Sequence, residues 1–203
     1  MKTPAPTPPP DALAGLLAAV KTAGDTTAGK SLPPVHLWNP PHCGSIGLRI
    51  ARDGRWFYQG SVIQRPAMVR LFSTILRKDP DEFVLVTPVE KISVEVEDAP
   101  FLAVEMKVEG AGADQVISLR TNVEDWVTLD GAHPLRVDIG SADGLKPYVL
   151  IRGDLWALLT RALVHDLVAL AQTQTHDGQS MFGVMSAGHF MPLARAEQLD
   201  GLA

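Results

Sequence analysis

The sequence predicts an α+β fold: two β-rich units, each with a helix packed on its sheet, related by duplication and joined near Asp98. Three observations predict it. Short runs with period-two apolar alternation, such as Ile46, Leu48 and Ile50, recur between Gly, Pro, Asp and Asn turns. Within the body only two stretches carry apolar residues at helical spacing, starting near Pro66 and Asp154. A strand-to-helix segment occurs twice at a constant offset, 62–76 against 149–163. That offset places Val62 on Val149, Arg65 on Arg152, Leu71 on Leu158, Ser73 on Thr160 and Leu76 on Leu163.

The elements follow in order. Nine of the 16 prolines lie in the first 41 residues, which makes 1–41 a flexible arm. Within it, Asp11 can cap a short helix carrying Leu13, Leu16, Leu17 and Val20, too short to stand without packing. The N-terminal unit spans 42–98. A strand around Leu48 turns at Asp53-Gly54 and returns through Trp56-Phe57-Tyr58. A third strand at 62–64 enters a helix with Pro66 at its first position. Met68, Leu71, Phe72, Ile75 and Leu76 form its apolar stripe, Arg77 and Lys78 its basic end, and Pro80 its stop. Strands at 83–87 and 91–97 complete the unit. The C-terminal unit spans 99–195, with strands at 102–108, 116–121, 126–129, 135–139 and 148–151. A long helix is expected from Asp154 to about Gln172, followed by a terminal strand or cover over 181–192.

Composition narrows the classes. A chain of 203 residues, 46% hydrophobic and 20% charged, holds one large domain or two small ones with a real core. A net charge of −5 argues against a dedicated nucleic-acid binder. No apolar stretch is long enough for a membrane helix, and the apolar run 12–20 follows prolines and Asp11 rather than a basic segment. The single cysteine, Cys43, excludes a disulfide framework and fits a cytoplasmic protein.

Charge is segregated along the chain. Residues 49–78 hold seven basic side chains and one acidic, whereas 79–114 hold ten acidic and two basic, Lys91 and Lys107. The two segments either neutralise each other across the fold or leave a basic face that receives an anion. Arg65 and Arg152 are each placed where a strand enters a helix. A helix N-terminus offers free N–H groups and positive potential, and an arginine adds a planar fork of donors. The ordinary alternative pairs each arginine with a carboxylate such as Glu90 or Glu95. The candidate ligand-binding set is Arg65, Arg152, Arg49, Trp56, Tyr58 and Lys91. Trp56, Phe57 and Tyr58 share one strand, so at least one faces away from the core. Enzyme motifs do not hold: Gly110-Ala111-Gly112 lies between strands, and 183–188 lacks nucleophile-elbow spacing. His36, His42 and Cys43 lack paired metal-ligand spacing, so no cofactor or metal is expected.

The run Cys43-Gly44, Arg49-Ile50, 53–58, Arg65, 71–73, 85–91 and 96–101, with the later Tyr148-Val149 and Arg152, resembles the bacterial family catalogued as domain of unknown function 1285. The resemblance covers roughly 35–195. It implies a core built by duplication and a C-terminal part loosely similar to pleckstrin-homology folds. It further implies a ligand site where the units meet, with nucleotide-derived molecules among the candidates, and a role in signalling. The family brings no catalytic residues to carry over.

The function expected is therefore non-catalytic binding of a small phosphorylated ligand between the two units of a cytoplasmic signalling protein. Two other classes stay open: a pleckstrin-like module that binds a protein partner, and an enzyme whose active site no motif reveals. Nucleic acid and membrane are not expected partners.

Overall fold

The computed structural model describes residues 15, 18, 32–140 and 144–199. Of the expected arm 1–41, residues 1–14, 16–17 and 19–31 lie outside them, and with them the helix from Asp11 apart from Gly15 and Ala18, both helical. The chain divides into two compact units, residues 1–98 and 99–203.

In unit 1 a 3-10 turn at Val35–Leu37 precedes β1 (His42–Ile50), β2 (Trp56–Tyr58), β3 (Ser61–Val62), α1 (Pro66–Thr74), β4 (Leu76–Lys78), β5 (Phe83–Val86) and β6 (Lys91–Val96). The turn through Asp53 and Gly54 joins β1 to β2, registering Ile50 on Trp56 and Leu48 on Tyr58. Gly54 takes φ 78°, which a side chain would resist. Pro66 opens α1, where its missing N–H costs nothing. The helix stops at Thr74, earlier than its apolar stripe predicts. Ser73 and Thr74 turn their hydroxyls back onto the carbonyls of Arg70 and Leu71, 2.7 Å each. Leu76 then pairs with Leu85 in a strand that the helical spacing had absorbed. Leu48, Ile50, Trp56, Phe72, Leu76, Leu85 and Ile92 form the core. The Trp56 and Phe72 rings lie 6.2 Å apart between sheet and helix.

Unit 2 comprises β7 (Phe101–Glu109), β8 (Val116–Thr121), β9 (Trp126–Thr128), β10 (Leu135–Gly140), β11 (Gly144–Arg152), β12 (Leu155–Leu159), α2 (Arg161–Ala169), β13 (Gln172–His176), β14 (Gln179–Ser186), β15 (His189–Arg195) and α3 (Ala196–Leu199). The helix expected from Asp154 is corrected at its start. Gly153 and Asp154, with φ 46° and 60°, form a two-residue hairpin turn, and the chain returns as β12. Leu155, Ala157 and Leu159 are buried and the residues between them half-buried, a period of two. Pairing with both β7 and β11 overrides the helix propensity of Leu-Trp-Ala-Leu-Leu. Beyond α2, β13 to β15 form a separate antiparallel sheet rather than a single covering strand.

The same correction moves the repeat. The segment 62–76 is a strand entering a helix, whereas 149–163 is a hairpin, so that alignment of the two copies fails. The duplication lies in the sheets instead. Their strand orders are β3-β2-β1-β6-β5-β4 and β9-β8-β7-β12-β11-β10. Each is two three-stranded meanders whose first and last strands run parallel at the centre: Leu48 beside Val94, and Leu102 beside Leu158. The helix interrupts the strand series between β3 and β4 in unit 1 but follows the last sheet strand in unit 2.

Candidate functional site

The five sequence-derived residues of unit 1 do not share one face of its sheet. Arg49 and Phe57 face each other across β1 and β2, on the side opposite Trp56 and Tyr58. Arg49 pairs with Glu97 and lies 4.2 Å over the Phe57 ring, so Phe57 is the aromatic that faces outward. Trp56 is a core residue at 1% exposure, and its Nε1 makes no hydrogen bond. The Tyr58 hydroxyl accepts from Gln59 Nε2 at 3.2 Å. Lys91 donates to Asp79 Oδ2 at 2.8 Å. Arg152 pairs with Asp125 and stacks 5.2 Å over Phe101, beside a hairpin turn and not at a helix start. Arg65 alone of the two junction arginines precedes a helix, exposed at the N-terminus of α1.

The segregated charges largely meet each other. Besides Arg49 with Glu97 and Lys91 with Asp79, Arg52 lies 3.5 Å from Asp98 and Arg77 2.7 Å from Asp79. Arg77 also donates to the carbonyls of Val35 and Trp38, 2.7 Å each, and so ties the incoming chain to β4. The Arg77 hydrogen bonds, with help from Lys91, hold the Asp79 carboxyl below the usual carboxylate range. Glu97 is lowered by the Arg52 backbone N–H and then by Arg49, and Asp53 chiefly by the Arg55 backbone N–H.

One hydroxyl, imidazole and carboxylate do converge in unit 1. Ser93 Oγ donates to Glu82 Oε2 at 2.6 Å, and His42 Nε2 lies 2.9 Å from the same Oγ. The carboxylate thus touches the serine rather than the far imidazole nitrogen, which is not the relay of a nucleophilic serine. Among the described residues no group of three or more His, Cys, Asp and Glu could hold a metal ion.

A cavity of about 500 Å³ lies within unit 2, lined by Gly144, Leu145 and Lys146 of β11, Leu158 and Leu159 of β12, and Arg161 and Val164 of α2. This is the true strand-to-helix junction of the unit, nine residues beyond the one expected at Arg152. Thr160 caps α2 in an extended conformation, but its side chain makes no capping bond. The first-turn N–H groups therefore lack that internal acceptor, and the helix dipole adds positive potential. Among the described residues, two basic side chains and four aliphatic ones line the cavity, and no carboxylate is among these. Such a lining can hold an anion by charge and donor geometry while its aliphatic wall excludes water. Sequence reasoning missed Lys146 and Arg161. The signal available was Thr160 followed by Arg161 and an apolar i, i+3, i+4 pattern.

Comparison with known proteins adds family and fold. Residues 33–99 match the model described as domain of unknown function (DUF1285), N-terminal domain, and residues 100–193 match the protein of unknown function (DUF1285), C-terminal domain. A crystal structure of a DUF1285 family protein from Silicibacter pomeroyi DSS-3 is 46% identical with a TM-score of 0.80. The similarity covers 92% of this chain and 98% of that one. A DUF1285 family protein from Shewanella baltica OS155 is 28% identical over 61% of this chain and 91% of that one, with a TM-score of 0.49. No curated protein matches the chain. With both family models matched in sequence order, the chain belongs to the DUF1285 family.

Proposed function

We propose that this protein binds a small phosphorylated ligand without transforming it, and that unit 2 holds the anionic group in the cavity at the start of α2. One observation carries the reading: Lys146 and Arg161 line a cavity that opens on an uncapped helix N-terminus. The described lining supplies donors and aliphatic surface, which suit retention, and among the described residues it holds no side chain that exchanges protons near neutral pH. Nucleotide derivatives are one member of the ligand class. A sheet whose last strand leads straight into a packed helix supports a loose pleckstrin-like reading of unit 2, and with it a role in cytoplasmic signalling.

The test titrates inorganic phosphate and then AMP into the full chain, followed by amide chemical shifts and calorimetry. Arg161→Gln should weaken binding about 10–150-fold, the equivalent of one charge-assisted contact of ~1.5–3 kcal/mol. Arg161→Lys should restore only part of it, because an ammonium lacks the planar fork. Equal affinity in wild type and a folded Arg161→Gln protein, or shifts confined to residues remote from 144–146 and 158–164, would refute the reading.

A further inference from the structure

Among the described residues, the three-stranded sheet of unit 2 ends in an edge strand that nothing covers: β13 pairs there only with β14, in unbroken register from Gln172 on Gly183 to His176 on Gln179. The turn between them has two residues, Asp177 and Gly178, so the flanking pair His176 and Gln179 exchanges both ladder bonds. By alternation Gln174 and Gln172 also bond inward. Thr173 and Thr175, both exposed, turn their N–H and C=O groups to the open side. The strand Gln-Thr-Gln-Thr-His carries no proline, lysine or bulge, the usual devices that blunt an edge.

A second cavity, about 320 Å³, lies over one face of this sheet and reaches the edge strand, where the alternate side chains Gln172 and Gln174 line it; Gly183, Met185 and Phe190 line it on β14 and β15. Met185 and Phe190 give it apolar walls, and Gln115 adds a third carboxamide. Gln115 Nε2 is committed to the Met185 carbonyl at 2.7 Å, which leaves its Oε1 as an acceptor. Among the described residues no charged one lines the cavity. Its surroundings are acidic. Asp114 sits between the lining residues Ala113 and Gln115, and Asp177 closes the strand at 92% side-chain exposure. The unit as a whole carries thirteen acidic residues against seven basic.

From these observations we infer that β13 accepts an extended peptide of another protein as a fourth strand, the peptide being basic with one tyrosine seated in the cavity. Strand addition draws affinity from main-chain bonds and selectivity from a pocket for alternate side chains, and β13 supplies both. Tyrosine matches the lining: an apolar ring for Met185 and Phe190, and a hydroxyl for a carboxamide oxygen. Flanking lysines or arginines match Asp114 and Asp177. This interaction is independent of the anion site.

The test uses the full chain and a labelled hexapeptide with a central tyrosine and a lysine at each end, read by fluorescence anisotropy. Replacing tyrosine by alanine, or N-methylating the two peptide amides that would face β13, should each weaken binding at least about tenfold, or ~1.4 kcal/mol. On the protein side, Thr175→Pro removes an outward N–H while leaving the β14 ladder intact, and should do the same. Gln174→Leu is the second variant, with folding of both checked by circular dichroism. Binding that ignores N-methylation and Thr175→Pro in folded protein would overturn strand addition. Binding that needs only the lysines would reduce it to charge attraction. A concentration-dependent dimer abolished by Thr175→Pro would show that the edge serves a second copy of this chain, and would equally overturn the proposal.

Discussion

Asp79→Asn tests the charge network at the entrance to unit 1. The carboxylate accepts from Arg77 Nε at 2.7 Å and from Lys91 Nζ at 2.8 Å, and all three side chains are only 17–18% exposed. Asparagine keeps the shape but leaves two cations half-buried without a counter-charge. Charge-assisted hydrogen bonds contribute ~1.5–3 kcal/mol each, and the residual solvent access reduces that, so the substitution should cost about 2–4 kcal/mol. Loss of the Arg77 anchor should also free the chain at Val35 and Trp38, whose carbonyls it holds. Two units need not unfold together, so the measurement is urea-dependent hydrogen exchange at the amides of β4 and β5. The pH dependence has a definite sign. The folded carboxyl lies below its unfolded value of ~3.9, so its contribution is full above about pH 5 and disappears as pH falls through the folded pKa. The wild-type advantage should therefore shrink steadily toward pH 2. A cost below about 0.5 kcal/mol at pH 7, or one that does not change with pH, would refute the network as a stabilising unit.

Two further outcomes are expected. A double-mutant cycle on Arg152→Ala and Asp125→Ala should give a coupling of about 0.5–1.5 kcal/mol by thermal unfolding, with phosphate affinity unchanged, because the pair is structural and partly exposed. Thr160→Asp should stabilise α2 by about 0.5–1 kcal/mol through capping and the dipole, yet weaken phosphate binding by placing a negative charge at the cavity. Calorimetry reads both effects, and a variant that gained stability without losing affinity would place the anion elsewhere.

Much of the fold was legible because turns and alternation act locally. Ile46, Leu48 and Ile50 are buried on β1, Asp53-Gly54 turns where its chemistry demands, and Pro66 opens a helix. The failures share a physical cause. Leu76 fits a helical stripe, and Leu155–Leu159 has better helix than strand propensity, so only pairing with distant β5, β7 and β11 makes them strands. β13 lacks any apolar periodicity and was invisible as a strand. The site suffered in proportion. Once Gly153-Asp154 became a hairpin, the helix N-terminus moved to Thr160, away from Arg152 and toward Lys146 and Arg161. Arg49 and Lys91 looked available because nothing local shows that Glu97 and Asp79 occupy them.

The parallel strand at the heart of each sheet bears on how the chain folds. Leu48 and Val94 are neighbours separated by 46 residues of sequence, and Leu102 and Leu158 by 56. Two meanders can zip up by themselves, but neither sheet is buckled until its last strand slots against its first. Loop-closure entropy must be met before that central seam returns any energy, which makes late closure the slow step. On the ribosome, unit 1 would wait as two open half-sheets until Val96 emerged. A circular permutant that joins the end of β6 to the start of β1 through a crossover linker of about a dozen or more residues, as a parallel pair requires, and opens the chain between β3 and β4 would make the seam more local, and should fold faster at similar stability.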